Sequence, residues 1–305
     1  MTGPIAEQVL VIGESLIDIV TREGAAAVES VGGSPANVAL GLGRLGLPVR
    51  LRTALGDDVR GTRIAAHLAA SGVEVDPESF AIERTSTATA RISPRGDARY
   101  DFDIDWRLPR PIDLGRARIV HVGSIGCFIE PGATSVRDAV SGWADRALLT
   151  FDPNIRPTLT GGRDAALAVV DQLAALSDVV KLSDEDAAWL FPGASTDEVL
   201  DRFLSLGARI AAVTLGGEGA VLASASARVA LSPRRVRVHD TVGAGDTFMA
   251  SLVADLARGR LGSDSAALTA SGERAVAAAA ITVGRVGADL PTSSDVQLAL
   301  SGTPT

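Results

Sequence analysis

Lysine, cysteine and tyrosine each occur once in the 305 residues, as Lys181, Cys127 and Tyr100. A single cysteine excludes an intrachain disulfide, and with only His67, His121 and His239 to join it no structural zinc site is expected. The lone lysine is not preceded and followed by the residues of G-x-x-x-x-G-K-[ST], so the chain is not a P-loop kinase. Long apolar runs are missing as well. The longest, Ala275 to Val283 and Ile210 to Leu215, fall far short of the roughly 20 residues that cross a bilayer. No basic segment and apolar stretch of leader type precede Val9-Leu10-Val11-Ile12, so the expected location is the cytoplasm. Positive charge is in deficit, with 29 Lys and Arg against 37 Asp and Glu and a net charge of -8. Neither nucleic acid nor an anionic membrane would be attracted, and a phosphorylated ligand must be held by a local device. A content of 46% hydrophobic and 22% charged residues is that of an ordinary globular chain, and the length suits one main domain over residues 1–305.

What is present is alternation. Short β-rich runs at Val9 to Gly13, Arg50 to Ala54, Ile119 to Gly123, Leu148 to Asp152, Val179 to Leu182 and Ile210 to Leu215 predict buried strands. Ala- and Leu-rich stretches predict helices at Pro35 to Leu45, Val59 to Ala70, Thr134 to Ala144, Asp164 to Leu176, Glu198 to Leu206, Ala244 to Ala257 and Ser271 to Val283. The expected fold is α/β, a mainly parallel central sheet flanked by helices on both faces. Leu16 to Val31 and Thr87 to Phe102, the latter with a Pro94-Arg95-Gly96-Asp97 turn, break the alternation and look like hairpin pieces. Together, from about residues 16–31 and 87–106, they predict a small β-sheet lid over the active face.

The segment Asp240-Thr241-Val242-Gly243-Ala244-Gly245-Asp246 carries the most chemistry. Small residues at the entry to a helix leave its first amides open to an anion, which makes Gly243, Ala244 and Gly245 a phosphate cradle. Asp246, in the first turn, reads either as a base that takes a hydroxyl proton during phosphoryl transfer or as a helix cap beside a tight turn. Asp18, at the carboxyl edge of the first strand, is placed to fix two hydroxyl groups or to close a turn. Gly32 and Gly33 allow close backbone approach, and Asn37 offers a donor and an acceptor, unless it faces solvent. Arg156 could contact a transferring phosphate or serve in a structural ion pair. Tyr100, Phe102 and Trp106, with Arg91 and Arg99 in the same segment, are candidate walls against a sugar, with packing of the lid as the other reading.

The pattern D-T-x-G-A-G-D-x-F resembles the C-terminal signature of the ribokinase-like (PfkB) carbohydrate kinases. So do Gly13-Glu14-Ser15-Leu16-Ile17-Asp18, Gly32 to Ala39, Leu55 to Asp58, Phe151 to Pro157, Lys181 to Asp186 and Thr214 to Gly219, in the family's order over nearly the whole chain. The resemblance implies a ribokinase-like fold in which Asp18, Gly32, Gly33 and Asn37 contact the sugar and Asp246 is the base. It implies that Lys181, Ser183, Thr214, Gly216, Gly219, Gly243 and Gly245 serve ATP. Family members arrange magnesium through an N-x-x-E segment; here Ser183 and Asp186 replace its Asn and Glu, so Asp186 or Glu185 would reach Mg2+ through water. The resemblance also implies a monovalent cation such as K+ near Asp240 and Val242, and a homodimer formed through the lid.

The resulting expectation is an ATP-dependent sugar kinase, most like the family's bacterial fructokinases, transferring the γ-phosphoryl group to fructose. Another ketose, 2-keto-3-deoxygluconate or a nucleoside would be alternative acceptors, and a non-catalytic sugar-binding protein is the alternative outside catalysis. A dinucleotide-binding oxidoreductase is excluded because G-x-G-x-x-G does not follow the first strand.

Overall fold

The computed structural model describes residues 8–93, 97–143 and 145–301. The stretch ahead of Gln8, most of the expected turn at 94–97 and the end of the expected helix at Ala144 lie outside these residues. The chain opens with β1 (Val9–Ile12), all four residues buried, as an unbroken apolar run requires. It then leaves the core in β2 (Leu16–Arg22) and β3 (Val28–Gly32) before α1 (Ser34–Arg44), β4 (Val49–Arg52), β5 (Leu55–Gly56) and α2 (Val59–Ala69). After the short β6 (Val73–Val75) and β7 (Phe80–Ile82) it leaves the core again in β8 (Thr87–Ile92) and β9 (Ala98–Asp103).

From there strand and helix alternate regularly through β10 (Ile119–Gly123), α3 (Gly132–Ser141), β11 (Leu148–Asp152), α4 (Arg163–Ala174) and β12 (Val179–Ser183). Two helices follow, α5 (Asp184–Leu190) and α6 (Thr196–Leu206), and then β13 (Ile210–Thr214), β14 (Ala220–Ser224) and β15 (Arg228–Leu231). The chain ends in α7 (Ala244–Ala257), α8 (Ser265–Val283) and α9 (Ser293–Leu300).

The main sheet has nine strands in the order β15-β14-β13-β12-β11-β10-β1-β4-β6. It is parallel from β6 to β13, and β14 and β15 add to it antiparallel. Apolar clusters lie on each face, one under α3 to α6 and the other under α1, α2, α7 and α9, with a third beneath α8 at the antiparallel end. This is the mainly parallel α/β arrangement, helices on both faces, that the sequence alternation predicts. In a parallel sheet the loops that leave the strands all emerge at the carboxyl edge, so residues following β1, β10, β11, β12 and β13 converge there.

The lid is a separate four-stranded sheet, β3-β2-β8-β9, with β2 and β8 parallel and the outer pairs antiparallel. Its cavity-facing side is set by alternation: Asp18, Ala88 and Phe102 stand in one row. Trp106 does not belong to the lid. It is 3% exposed in the main core, its indole Nε1 donating to Gly126 O at 2.8 Å, because the chain has already returned to the body at Ile104. Asp101 and Asp103 lie exposed on β9, the lid's edge strand, where charge discourages pairing with another strand.

Candidate active site

A cavity of about 1190 Å³ runs along the carboxyl edge of the main sheet beneath the lid. Two helices point their N-termini into it. Both start at a glycine in a left-handed conformation, Gly33 at φ 102° before α1 and Gly243 at φ 79° before α7, and neither has a side-chain cap. At Gly33 a β-carbon would also come within 2.5 Å of Glu14 O, so only glycine fits. The positive ends of both helices therefore stay open to a ligand. In α7 the amides of Gly245 and Asp246 have no partner among the described residues, whereas that of Ala244 donates to Thr241 O at 3.3 Å. The cradle expected from Gly243 to Asp246 is thus narrower, with Ala244 contributing its small side chain and not its amide.

Asp246 is buried in the cavity wall and its two oxygens are held from the facing helix. Ser34 Oγ donates to Oδ1 at 2.6 Å and Asn37 Nδ2 to Oδ2 at 2.8 Å. Burial raises its proton affinity above the usual carboxylate range; the Ser34 and Asn37 hydrogen bonds and the charges of Lys181 and Arg156 oppose that rise. A carboxylate fixed this way, at the mouth of two unpaired amides, can receive a proton while those amides face an anion. Asn37 thus orients Asp246, a role additional to the sugar contact expected of it. Ser34, 212 positions from Asp246 in sequence, had no signal of its own.

Asp18 faces the cavity from the lid, and burial raises its carboxyl to about 6 against the attraction of Arg156. Gly32, opposite Leu16 in the β2–β3 pair, lies behind this carboxylate rather than in the cavity wall: a β-carbon there would come 2.0 Å from Asp18 Oδ2. Arg156 lines the same space, with Nη1 donating to Asn154 Oδ1 at 2.8 Å and to Ile155 O at 2.9 Å. Its guanidinium draws down Glu14, Asp18 and Asp246 together. Phe102 lines the cavity and stacks with Tyr100 at 6.1 Å between centroids. Tyr100 itself is 62% exposed and outside the wall. Arg91 is turned away altogether, because it sits one residue out of step with Ala88 and Ala90; it pairs with Asp101 on the outer side.

The other half of the cavity takes Thr214, Gly216 and Gly219 from the β13–β14 turn, and Val242 to Gly245. Beneath the α7 loop Lys181 Nζ donates to Asp152 Oδ2 at 2.9 Å and lies so close to Gly245 that a side chain there would begin 3.0 Å away. Burial lowers the proton affinity of Lys181, but Asp152 overcomes this and raises it; burial lifts Asp152 to about 6. Asp152 lies in the Phe151 to Pro157 motif but had no role assigned to it, and its Oδ1 has no partner among the described residues.

Ser183 and Asp186 form a capping box on α5, and Asp186 Oδ1 also accepts Ile155 N at 2.8 Å. Its oxygens are therefore engaged by backbone amides, and the exposed Glu185 is the freer carboxylate in this wall. Asp240 is similarly engaged: Oδ1 accepts Val242 N and Oδ2 accepts Gly287 N, each at 3.0 Å, which pins the loop. Among the described residues no three His, Cys, Asp or Glu side chains gather to hold a metal.

Residues 6–295 match the family described as pfkB family carbohydrate kinase. The chain belongs to that family. A fructokinase from Rhizobium leguminosarum bv. trifolii is 32% identical over 81% of this chain and 79% of its own length. One from Klebsiella pneumoniae is 31% identical over 96% of this chain and 99% of its own. The crystal structure of a fructokinase with bound ATP from Xylella fastidiosa superposes with a TM-score of 0.83 at 24% identity, covering 96% of this chain and 98% of that one. The Xylella fastidiosa structure shares the fold over 96% of this chain. No helix among the described residues of this pfkB kinase is long and apolar enough to cross a membrane.

Proposed function

We propose that this carbohydrate kinase transfers the γ-phosphoryl group of ATP to a hydroxyl of fructose, with Asp246 as the general base. One observation carries the reading: Asp246, oriented by Ser34 and Asn37, stands beside two unpaired helix amides in a cavity that also holds Asp18. The fructokinase relatives at about 30% identity support the choice of acceptor.

The sugar lies against Asp18, Gly33 and Asn37 with the reacting hydroxyl at Asp246; the nucleotide lies along Thr214, Gly216, Gly219 and the α7 loop. Asp246 accepts the hydroxyl proton as the oxygen attacks phosphorus in line. The amides of Gly245 and Asp246 and the α7 dipole face the transferring phosphoryl oxygens, in a place where water is displaced. Lys181 adds positive charge from below, and Arg156 closes the sugar end. Magnesium bound with the nucleotide would neutralise phosphate charge, and Asp184 or Glu185, both exposed in this wall, could reach its water shell, which suits an ion that keeps most of its waters. A monovalent cation such as K+ would lie beside the loop at Val242 that Asp240 pins through Val242 N and Gly287 N. Lid and body act as one unit over residues 1–305, in the cytoplasm, without nucleic acid or membrane partners. The lid carries the exposed Val28 and Tyr100, apolar surface suited to a homodimer contact.

Glu14 and Asp18 both lean on Arg156, and Asp246 leans on Lys181 and Arg156; this carboxylate-rich sugar half disfavours an acidic acceptor such as 2-keto-3-deoxygluconate. A coupled ADP-release assay over ketoses, aldoses, sugar acids and nucleosides tests the reading. Fructose should give the highest kcat/KM; a preference for sugar acids or nucleosides would overturn the acceptor assignment, and no turnover on any of them would overturn the kinase activity.

A further inference from the structure

Glu14 has no role in the chemistry above, yet it lines the same cavity with a side chain that is almost completely buried, at 4% exposure. It sits in the turn between β1 and the lid strand β2, four positions before Asp18. Its Oε2 accepts Gly126 N at 3.0 Å, and the neighbouring Ser124 hydroxyl favours the ionised carboxylate. The turn that supplies these partners follows β10 and is fixed by other contacts. Trp106 Nε1 holds Gly126 O at 2.8 Å, and a β-carbon on Gly126 would stand 3.2 Å from Glu14 Oε2, so glycine allows the amide its approach. Ser124 adopts φ 53°, unusual for a residue other than glycine, and its side chain also borders the cavity. A buried carboxyl group held in this way, with one amide taking up only part of its accepting capacity, has room for a further polar partner. The open direction is the sugar half of the cavity.

We propose that Glu14 is a specificity-determining residue that accepts a hydrogen bond from a hydroxyl of an uncharged sugar at the end of the acceptor site away from Asp246. The proposal rests on the reading of this cavity as a sugar kinase site. Glu14 and Asp18, brought in by one lid crossing, then bracket the polyol, and Arg156 balances both. An uncharged polyol donates to each carboxylate, whereas a sugar acid would add a third negative charge beside them.

The charged group facing Glu14 is Arg156, from the loop after β11; the Cys127 thiol, from the turn after β10, stays neutral because burial and Glu14 together push it above its ordinary range. Asp18 and Asp246 face the same guanidinium from β2 and α7. Burial brings the Glu14 carboxyl to about 7, against the pull of Ser124, Gly126 and Arg156, so its ionisation falls within the working range of an assay. A charge-assisted hydrogen bond is roughly twice as strong as a neutral one, so fructose KM should fall about ten-fold as pH rises through 7.

The test is fructose KM and ATP KM from pH 5.5 to 8.5 for the wild type and Glu14→Gln, with thermal unfolding of both. Gln keeps the size and can still accept Gly126 N. The proposal expects a fructose KM about ten-fold above wild type at pH 8, no inflection near 7, an unchanged ATP KM and a melting temperature close to wild type. Should Glu14→Gln unfold, Ser124→Ala supplies the second variant, which should shift the wild-type inflection upward by removing the hydroxyl that favours the ionised carboxylate. Equal fructose KM profiles in wild type and Glu14→Gln would overturn the role of Glu14 while leaving the kinase reading intact. Absence of any sugar turnover in the wild type would remove both.

Discussion

Lys181 and Asp152 form the most enclosed ion pair near the site, with side chains 4% and 1% exposed and 2.9 Å between Nζ and Oδ2. Lys181→Met keeps the length and apolar character of the side chain but leaves Asp152 with neither its cation nor, at Oδ1, any other partner. Breaking a buried pair by removing one member costs about 3–5 kcal/mol, because the remaining charge is uncompensated. The cost depends on pH in a direction the structure dictates. Burial already raises Asp152 to about 6 in the folded protein, above its unfolded value, so the carboxyl group contributes less to stability as pH rises from 4 towards 6. Without Lys181 the folded value climbs further, and the loss continues through pH 7 and 8 at up to ~1.4 kcal/mol per unit. Urea denaturation followed by circular dichroism should thus show Lys181→Met destabilised by about 3–5 kcal/mol at pH 8 and on the order of 1 kcal/mol at pH 5, where both proteins carry a neutral Asp152. Lys181→Met with Asp152→Leu should recover much of the loss and remove its pH dependence. A penalty that is the same at pH 5 and pH 8, or below ~1 kcal/mol at pH 8, would refute this reasoning.

Gly32→Ala should raise fructose KM at least ten-fold with ATP KM unchanged, because its β-carbon would occupy the position of Asp18 Oδ2 at 2.0 Å and force the carboxylate aside; an unaltered KM would mean Asp18 does not contact the sugar. Asp18→Ala should lower kcat/KM for fructose by about 30- to 100-fold, equivalent to ~2–3 kcal/mol, as when a buried polyol loses a charged partner. Since burial lifts Asp18 to about 6, wild-type kcat/KM should fall below that pH, and steady-state rates across pH 5 to 8 would show whether the acid limb is there. Light scattering should give twice the chain mass at assay concentration; a monomer would exclude the lid-to-lid contact.

How much of this could be read before the structure depended on the range of the interaction. Runs such as Val9 to Ile12 and Ile119 to Gly123 are apolar throughout because a central parallel strand is covered on both faces, and those elements stand within a residue or two of their expected ends. β14 and β15 were not expected: Ala220 to Ser224 is short and rich in small residues, and it becomes a strand by pairing antiparallel with β13. The seven-residue α5 was hidden within a motif read for metal chemistry, whereas Ser183 and Asp186 cap its start. The lid segments were visible as interruptions of the strand–helix alternation, but the face each side chain takes needs the register. Arg91 fails as a sugar ligand by one residue of that register, and Trp106 left the lid by burying its indole. The Gly-Ala-Gly-Asp loop is local and was legible. Its partners are not: Ser34 and Asn37 reach Asp246 across more than 200 positions, through the packing of α1 on α7.

The direct measurement is kcat for Asp246→Asn with saturating fructose and ATP. Asn fits the pocket, since its carbonyl can accept Asn37 Nδ2 while its amide donates to Ser34 Oγ, so folding and substrate affinity should be nearly retained. Losing the proton acceptor should lower kcat by about 10²- to 10⁴-fold with fructose affinity, measured by calorimetry, within a few-fold of wild type. A variant that turns over within ten-fold of the wild type would show that the carboxylate between Ser34 and Asn37 does not take the proton.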